Sequence, residues 1–411
     1  MVGCRLNQAE IERLAENFRL KGYMVTPDPS VADTIIINTC CVTHKASADS
    51  RKMIRHYQSL GSGRVLATGC WATLFKKDAL QDLENINLIP NAGKDRISEL
   101  FLDYPGKLPH VLSDKPELGH RSRTRAFVKV QDGCDNNCAY CATQLARGKS
   151  RSLTTETVID DLRHLELEDV KEVVLSGVQL GSWGRDLGLE LADLITRILE
   201  QTAFPRIRLS SIEPWEITPR LVSLWSNKRL LPHLHIPLQS GSDTILHAMH
   251  RKMDSRNYKA LLANIRKEFP EMAISTDIIV GFPGEVPKMF LESVKFVESC
   301  KFSRGHVFQF SPMQFTEAAS LPGQVSTFDK KARSQLMLEC LRTSQDRYNQ
   351  QQLGRMVEVL LEAKKGQSIS GLTPDYQRVK ISTSLDLHNK IKLVRLVALD
   401  GAEAFIGELA G

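Results

Sequence analysis

The chain has 411 residues with 54 Lys and Arg against 48 Asp and Glu, a formal net charge of +6, and 42% of its residues are hydrophobic. That length exceeds one ordinary core and implies two or three domains, while the composition excludes a disordered or fibrous chain. No apolar run reaches the ~18 residues of a membrane span, and the polar pattern after Met1 excludes a secretory signal, so a cytoplasmic protein with no membrane partner is expected.

Ile11, Leu14 and Phe18 stand at helical spacing and predict a helix over 8–21. A buried strand is predicted at 34–38, a helix from about 46 to 60, a strand at 64–68 and a helix over 74–83. Alternating strands and helices with short connections make a small parallel α/β domain. Residues 103–122, with Pro105, Gly106, Pro109, Pro116 and Gly119, have linker composition. The alternation restarts at Ala126, with strands at 126–131, 171–176, 206–210, 233–238, 273–280 and 305–310. Helices fall between them at about 155–168, 189–200, 218–226, 255–268 and 286–299. Six β/α units in a row imply an open parallel barrel with its active face at the strand C-termini. A polar helix at about 328–350 leads away from it. The tail reads differently. Short strands at 357–360, 377–381, 392–396 and 404–407 predict a small all-β, OB-like barrel of RNA-binding size.

The charge is uneven. Residues 115–151 hold eight basic side chains against three acidic ones, and 44–64 hold five against one. A clustered positive field suits a polyanion such as nucleic acid, and a solvated basic surface is the plain alternative.

Nine cysteines occur in the chain, and an odd count in a long cytosolic protein points to metal or catalytic use rather than disulfides. Three of them form the run Gly133-Cys134-Asp135-Asn136-Asn137-Cys138-Ala139-Tyr140-Cys141, just after the first barrel strand. Three thiolates on one tight loop can hold three corners of an iron–sulfur cubane and leave the fourth iron open. A zinc ion completed by a distant His is the alternative.

This spacing after strand one of a β/α barrel resembles the radical S-adenosylmethionine (SAM) superfamily. The resemblance implies that the open iron binds SAM, whose reductive cleavage gives a 5′-deoxyadenosyl radical that abstracts a substrate hydrogen. The motifs Val130-Gln131-Asp132-Gly133-Cys134, Ala146-Arg147-Gly148-Lys149-Ser150-Arg151-Ser152, Leu209-Ser210-Ser211-Ile212-Glu213-Pro214, His235-Ile236-Pro237-Leu238-Gln239-Ser240-Gly241-Ser242 and Thr276-Asp277-Ile278-Ile279-Val280-Gly281-Phe282-Pro283-Gly284-Glu285 narrow it. Gly3-Cys4-Arg5-Leu6-Asn7-Gln8, Asn38-Thr39-Cys40-Cys41-Val42-Thr43, Thr68-Gly69-Cys70-Trp71-Ala72 and Gly371-Leu372-Thr373-Pro374-Asp375-Tyr376 extend it over essentially the whole chain. Together they resemble the methylthiotransferase family. The resemblance implies a Rossmann-like iron–sulfur domain at 1–105, a radical SAM (β/α)6 domain at 120–350 and a TRAM RNA-binding domain at 351–411.

The resemblance further implies a second 4Fe-4S cluster on Cys4, Cys40 and Cys70, beside the one on Cys134, Cys138 and Cys141. Cys40 and Cys70 follow the C-termini of two parallel strands, which lie on one sheet edge. Cys300 and Cys340 are expected to be buried small hydrophobes, and Cys41 to point away from its neighbour on an extended chain. Gly177, Gln179, Glu213, Gln239, Asp277 and Gly281 are placed around SAM by resemblance, with a strand-end hydrogen bond or a simple turn as the alternative. Val307-Phe308-Gln309-Phe310 stands either against adenine or in the core. The family's opening strand is represented by two residues ahead of Gly3, so translation starts upstream or the chain is clipped.

The stretch Gly177-Val178-Gln179-Leu180-Gly181-Ser182-Trp183-Gly184-Arg185-Asp186-Leu187-Gly188 looks most like the members acting on threonylcarbamoyladenosine in tRNA. The expected reaction adds a methylthio group at C2 of that nucleoside, next to the anticodon. Members acting on isopentenyladenosine and a non-enzymatic iron–sulfur RNA-binding relative are the alternatives. The implied partners are the tRNA anticodon stem-loop and an electron donor of flavodoxin or ferredoxin type, with the protein a monomer. Arg147, Arg151, Lys364, Lys365, Arg378 and Lys380 are the candidate RNA contacts.

Overall fold

A computed structural model describes residues 3–61, 63–75, 86–101 and 124–410. They form two compact units: Met1–His120 with Gln131–Arg151 and Ser311–Ser320, and Arg121–Val130 with Ser152–Phe310 and Leu321–Gly411. The linker expected at 103–122 lies outside the described residues, as does most of the helix expected at 74–83.

The first unit contains α1 (Arg5–Leu20), β1 (Thr34–Thr39), α2 (His44–Ser59), β2 (Arg64–Gly69), α3 (Cys70–Leu74), β3 (Asn87–Ile89) and α4 (Thr143–Arg147). Its sheet is parallel in the order β1-β2-β3, with Thr39 opposite Gly69. Successive strand side chains point to opposite faces. Val65 and Ala67 therefore join Ile37, Ile54 and Trp71 on one side, while Leu66 meets Leu14, Phe18 and Ile97 on the other. The strand at Asn87–Ile89 has only three residues, too few to show a period, and its sequence gave no sign of it.

The second unit opens with β4 (Arg125–Lys129), α5 (Thr155–Leu167), β5 (Glu172–Ser176), α6 (Leu191–Gln201), β6 (Arg206–Leu209), α7 (Pro219–Ser223), β7 (His233–His235), α8 (Asp243–Ala248), α9 (Ser255–Glu268), β8 (Ala273–Val280), α10 (Pro287–Cys300) and β9 (Arg304–Gln309). The parallel sheets β4-β5-β6 and β7-β8-β9 are joined by a bridge from Ser211 to His235, which gives the expected open six-stranded barrel. Its core takes the apolar stripe of α6 (Leu191, Leu194, Ile195, Ile198) together with Val173, Leu175, Ile207 and Leu209. Each such side chain contributes about 1.5–3 kcal/mol on burial.

After α11 (Thr327–Gln352), the strands β10 (Met356–Lys365), β11 (Ser368–Leu372), β12 (Arg378–Ser382), β13 (Ile391–Asp400) and β14 (Ala404–Leu409) close a barrel in the order β10-β11-β12-β14-β13. The sequence announced four of these strands. The Ser-Ile-Ser-Gly-Leu of β11 lacks a β-branched run and hides the fifth.

The small barrel is fastened to the N-terminal ends of the large barrel's strands. Glu172, the first residue of β5, is fully buried and takes Arg206 Nε at 2.8 Å and Arg208 Nε at 2.9 Å. The same guanidinium groups donate to the carbonyls of Leu372 (3.1 Å), Thr373 (3.3 Å) and Pro374 (2.9 Å), and Arg208 lies over the Tyr376 ring. Arg125 adds an ion pair to Glu362 at 2.8 Å.

Candidate active site

The loop after β4 is shaped by its backbone. Gly133 has φ +77°, and a Cβ there would stand 1.9 Å from the Lys149 carbonyl oxygen, so only glycine fits. Cys134 N donates to the Gly148 carbonyl at 3.1 Å, and Gln131 Nε2 donates to the Gly133 carbonyl and to Ser150 Oγ, both at 2.8 Å. Cys134, Cys138 and Cys141 are all partly exposed. Two thiols already receive backbone donors: Asn136 N to Cys134 Sγ and Thr143 N to Cys141 Sγ, each 3.4 Å. Donors aimed at sulfur favour the thiolate that an iron requires. Both polar atoms of the buried Asn136 amide lack a protein partner, and Asn136 stands two residues from both Cys134 and Cys138. An unsatisfied buried amide costs about 1–3 kcal/mol, so the loop fits a polar group bound against it.

Cys4, Cys40 and Cys70 occupy the same unit, at the start of α1, the end of β1 and the start of α3. Cys40 and Cys70 are buried and Cys4 is exposed. Burial pushes the Cys40 thiol up to about 11. Cys70 is held lower than an ordinary thiol, first by the thiol of Cys41, which donates to it, and then by the charges of Arg147 and Lys94. Cys41 thus turns its thiol toward Cys70. β1 ends at Thr39, so the alternation of an extended strand stops before the Cys pair. Asn91 Nδ2 lies 3.8 Å from Cys70 Sγ. Asn38 Oδ1, Thr68 Oγ1, Trp71 Nε1 and Asn91 Oδ1 are buried with no partner, each within two residues of Cys40 or Cys70 or on the side chain that reaches Cys70. That polar lining fits a bound group. Among the described residues no three Cys, His, Asp or Glu side chains gather around a single metal ion. A cubane holds its irons at separate corners and asks for more widely spread thiols.

In the second unit, the residues placed around SAM lie on or after the C-terminal halves of the barrel strands. Gln179 is buried and donates to Glu216 Oε1 at 2.6 Å. Glu213 pairs with Arg251 at 2.5 Å and 3.1 Å, and Arg251 stacks on Trp215. Gln239 has φ +72°, a strained value for a side-chain-bearing residue, and is pinned there by backbone bonds to Asp277 and Ile279, both 2.8 Å. Burial opposes ionisation of Asp277, but His235 Nε2 at 3.3 Å and His306 Nδ1 at 3.1 Å hold its carboxyl well below the usual range. Gly177 follows β5. Gly281 sits in a turn at φ +72°, with its N–H on Glu285, and a Cβ there would meet the Lys330 stem. Val307 packs against the core and Phe308 is exposed.

Sequence reasoning missed His235 and His306, which flank Asp277 across neighbouring strands, and Glu216, whose side chain is 0% exposed. Burial pushes the Glu216 carboxyl up to about 7, against the pull of Gln179 and of Arg185 at 3.2 Å. The His-x-Pro and Glu-Pro-Trp-Glu segments contain His235 and Glu216, but only strand pairing brings His235 and His306 to Asp277.

The expected RNA contacts divide. Arg147 is corrected: its side chain is 2% exposed and fully engaged with Glu10, Asp132 and Asn7, so it cannot reach a phosphate. Its burial depends on Glu10, far away in sequence. Arg151 is exposed. In the small barrel, Lys365 and Arg378 are exposed, Lys364 Nζ donates to the Ser384 carbonyl at 2.7 Å, and Lys380 pairs with Asp400 at 2.6 Å.

The model of the radical SAM superfamily matches residues 128–297, and that of the uncharacterized protein family UPF0004 matches residues 1–90. The threonylcarbamoyladenosine tRNA methylthiotransferase MtaB of Thermotoga maritima is 35% identical over 88% of this chain and 85% of its own length. The chain belongs to the methylthiotransferase family of radical SAM enzymes. The MtaB of Chlamydia pneumoniae is 31% identical over 99% of this chain and 96% of its own. The tRNA-2-methylthio-N(6)-dimethylallyladenosine synthase of Moorella thermoacetica is 30% identical over 96% and 94%. Among solved structures, the radical SAM methyltransferase TsrM of Kitasatospora setae superposes with a TM-score of 0.53 at 12% identity, covering 75% of this chain and 69% of its own, a likeness of fold. Family membership brings one 4Fe-4S cluster and SAM as cofactors. No helix among the described residues is long and apolar enough to cross a membrane.

Proposed function

We propose that the protein adds a methylthio group to C2 of N6-threonylcarbamoyladenosine next to the anticodon of tRNA. The observation that carries this reading is the whole-length similarity to relatives bearing that activity in their names, at 31–35% identity. Cys134, Cys138 and Cys141 hold the radical SAM cluster, and Cys4, Cys40 and Cys70 hold a second 4Fe-4S cluster. When bound, these groups and SAM supply one-electron, hydrogen-abstracting chemistry and a site for the sulfur. The protein's own part is positional. The amides of Asn136 and Thr143 stabilise thiolates, while Gly177, Gln179, Glu213, Gln239, Asp277 and Gly281 line SAM at the C-terminal ends of the barrel strands. Glu216 beside Gln179, and His235 and His306 beside Asp277, fix the orientation of these side chains before ligand arrives. The chain works as a cytoplasmic monomer of three functional parts (1–105, 120–350 and 351–411), reduced by a flavodoxin- or ferredoxin-type donor. It takes the anticodon stem-loop, whose single-stranded bases can be splayed out and read.

Anaerobic reconstitution tests the reading. The protein should bind about eight irons as two cubanes, cleave SAM under reductant, and convert threonylcarbamoyladenosine in tRNA to its methylthio form. A protein that takes up one redox-silent cluster is a binding protein only. Methylthiolation of isopentenyladenosine tRNA in its place moves the assignment to the other branch of the family.

A further inference from the structure

Arg147 joins parts of the chain that the reaction must keep in register. Its guanidinium donates to Glu10 Oε1 at 2.7 Å and Oε2 at 3.2 Å, to Asn7 Oδ1 at 2.9 Å and to Asp132 Oδ1 at 2.8 Å. Lys94 adds a second cation on Glu10 Oε2 at 2.6 Å, so two cations and two carboxylates balance in a buried cluster. All of these residues belong to one compact unit.

From this hub, bonded paths run to both cysteine groups. Asp132 also accepts from the N–H of Gly133 at 2.9 Å, and the carbonyl of Gly148, next to Arg147, accepts from Cys134 N. On the other side, Asn7 Nδ2 donates to the Thr39 carbonyl at 3.1 Å, immediately before Cys40, and the Cys4 thiol lies 3.7 Å from Asn7 Oδ1. Asn38 Nδ2 ties back to Asn7 O at 2.9 Å and to Glu10 at 3.1 Å. Asn91 spans the Ala146 carbonyl at 2.8 Å and Cys70 Sγ.

We propose that Arg147 is a positioning residue that sets the spacing between the Cys134–Cys141 group and the Cys4, Cys40, Cys70 group. This rests on the two-cluster reading above. A planar fork with five donors can serve three side chains in fixed directions, whereas a lysine ammonium is a point charge that cannot. Transfer of a group between two centres is sensitive to distance, and a misplacement of ~1 Å costs about a hundredfold. The basic field around the cysteines thus contains one charge that never meets the RNA and serves the interior.

Arg147→Lys keeps the charge and removes the fork. The full-length variant is reconstituted with iron and compared with the parent for iron content, for 5′-deoxyadenosine, for methylthiolated nucleoside and, without iron, for amide hydrogen exchange. It should retain the parent's iron content and cleave SAM at a similar rate. The ratio of methylthio product to 5′-deoxyadenosine should fall by about tenfold to a hundredfold. In the iron-free protein, exchange should rise together in α1 and in residues 131–141, which a defect confined to one cluster would not produce. If Arg147→Lys does not fold, Asp132→Ala removes the Oδ1 that accepts from both Arg147 and Gly133, cuts only the arm to the Cys134 loop and should show the same loss of coupling. A parental product ratio in the folded variant overturns the proposal, as does loss of one cluster's iron with the other intact. Failure of the parent itself to bind two clusters or to make methylthio product sinks the functional reading instead.

Discussion

Glu216 carries a buried carboxyl whose ionisation is opposed by its surroundings, and a measurable pH dependence follows. Its folded pKa is raised from 4.5 to about 7. A raised carboxyl contributes stability that is fully present below pH ~4.5 and is lost as pH climbs through ~7. A shift of that size corresponds to about 3 kcal/mol between the limits. Thermal melts between pH 5 and 8 should therefore fall for the parent and stay flatter for Glu216→Gln; parallel curves would show that Glu216 is already ionised at pH 5. Gly133 supports a second residue-scale prediction. Gly133→Ala places a methyl on the Lys149 carbonyl and should abolish iron uptake at Cys134, Cys138 and Cys141 while the melting of the small C-terminal barrel is unchanged. Iron content measured on the variant decides it. These residues differ in how visible they were. The cysteines announce themselves by spacing, because ligands on one loop must be close in sequence. Arg147 resembled a surface cation, because its partners Asn7 and Glu10 lie some 140 positions away and only folding brings them to it.

At the scale of elements, the Glu172 cluster decides whether the small barrel stays seated. Breaking a buried ion pair by neutralising one partner typically costs 3–5 kcal/mol, since the other charges are left buried and unpaired. Burial opposes ionisation of Glu172, yet Arg208 and Arg206 hold its carboxyl down to about 2. A depressed carboxylate stabilises above its unfolded value near 4.5 and loses that contribution as pH falls toward 2. Glu172→Gln should therefore unfold at lower denaturant concentration at neutral pH, with the gap to the parent closing near pH 2. Limited proteolysis of the variant should release a fragment beginning near β10. Equal stability at pH 7 would mean that the carbonyls of Leu372, Thr373 and Pro374 suffice for the two arginines. The elements themselves were largely readable. Strand and helix alternate with different periods, and the observed ends of α9 and β8 coincide with those expected from the pattern. The cluster was not readable. Glu172, Arg206 and Arg208 look like exposed charges at strand starts until the tail barrel covers them.

For the molecule as a whole, the net charge of +6 says less about RNA than its distribution does. Of the six basic residues first assigned to tRNA, Arg147 is buried, Lys364 is bound to backbone carbonyls and Lys380 is paired with Asp400. Lys365 and Arg378 remain as exposed cations of the small barrel, and Arg151 as one beside the cysteine loop. Each phosphate contact contributes a slope of about −0.7 to −0.9 in a plot of log affinity against log salt. The double variant Lys365→Ala/Arg378→Ala should therefore weaken binding of the anticodon stem-loop and make the slope shallower by about 1.4–1.8 if both touch phosphates. Lys380→Ala should change the slope by less, because its ammonium already has a carboxylate partner. Filter binding across 50–400 mM salt separates the cases. An unchanged slope in the double variant, with weaker binding in Arg151→Ala, would locate the grip on the RNA away from the small barrel. The buried arginines at its base would then serve only to hold the barrel in place.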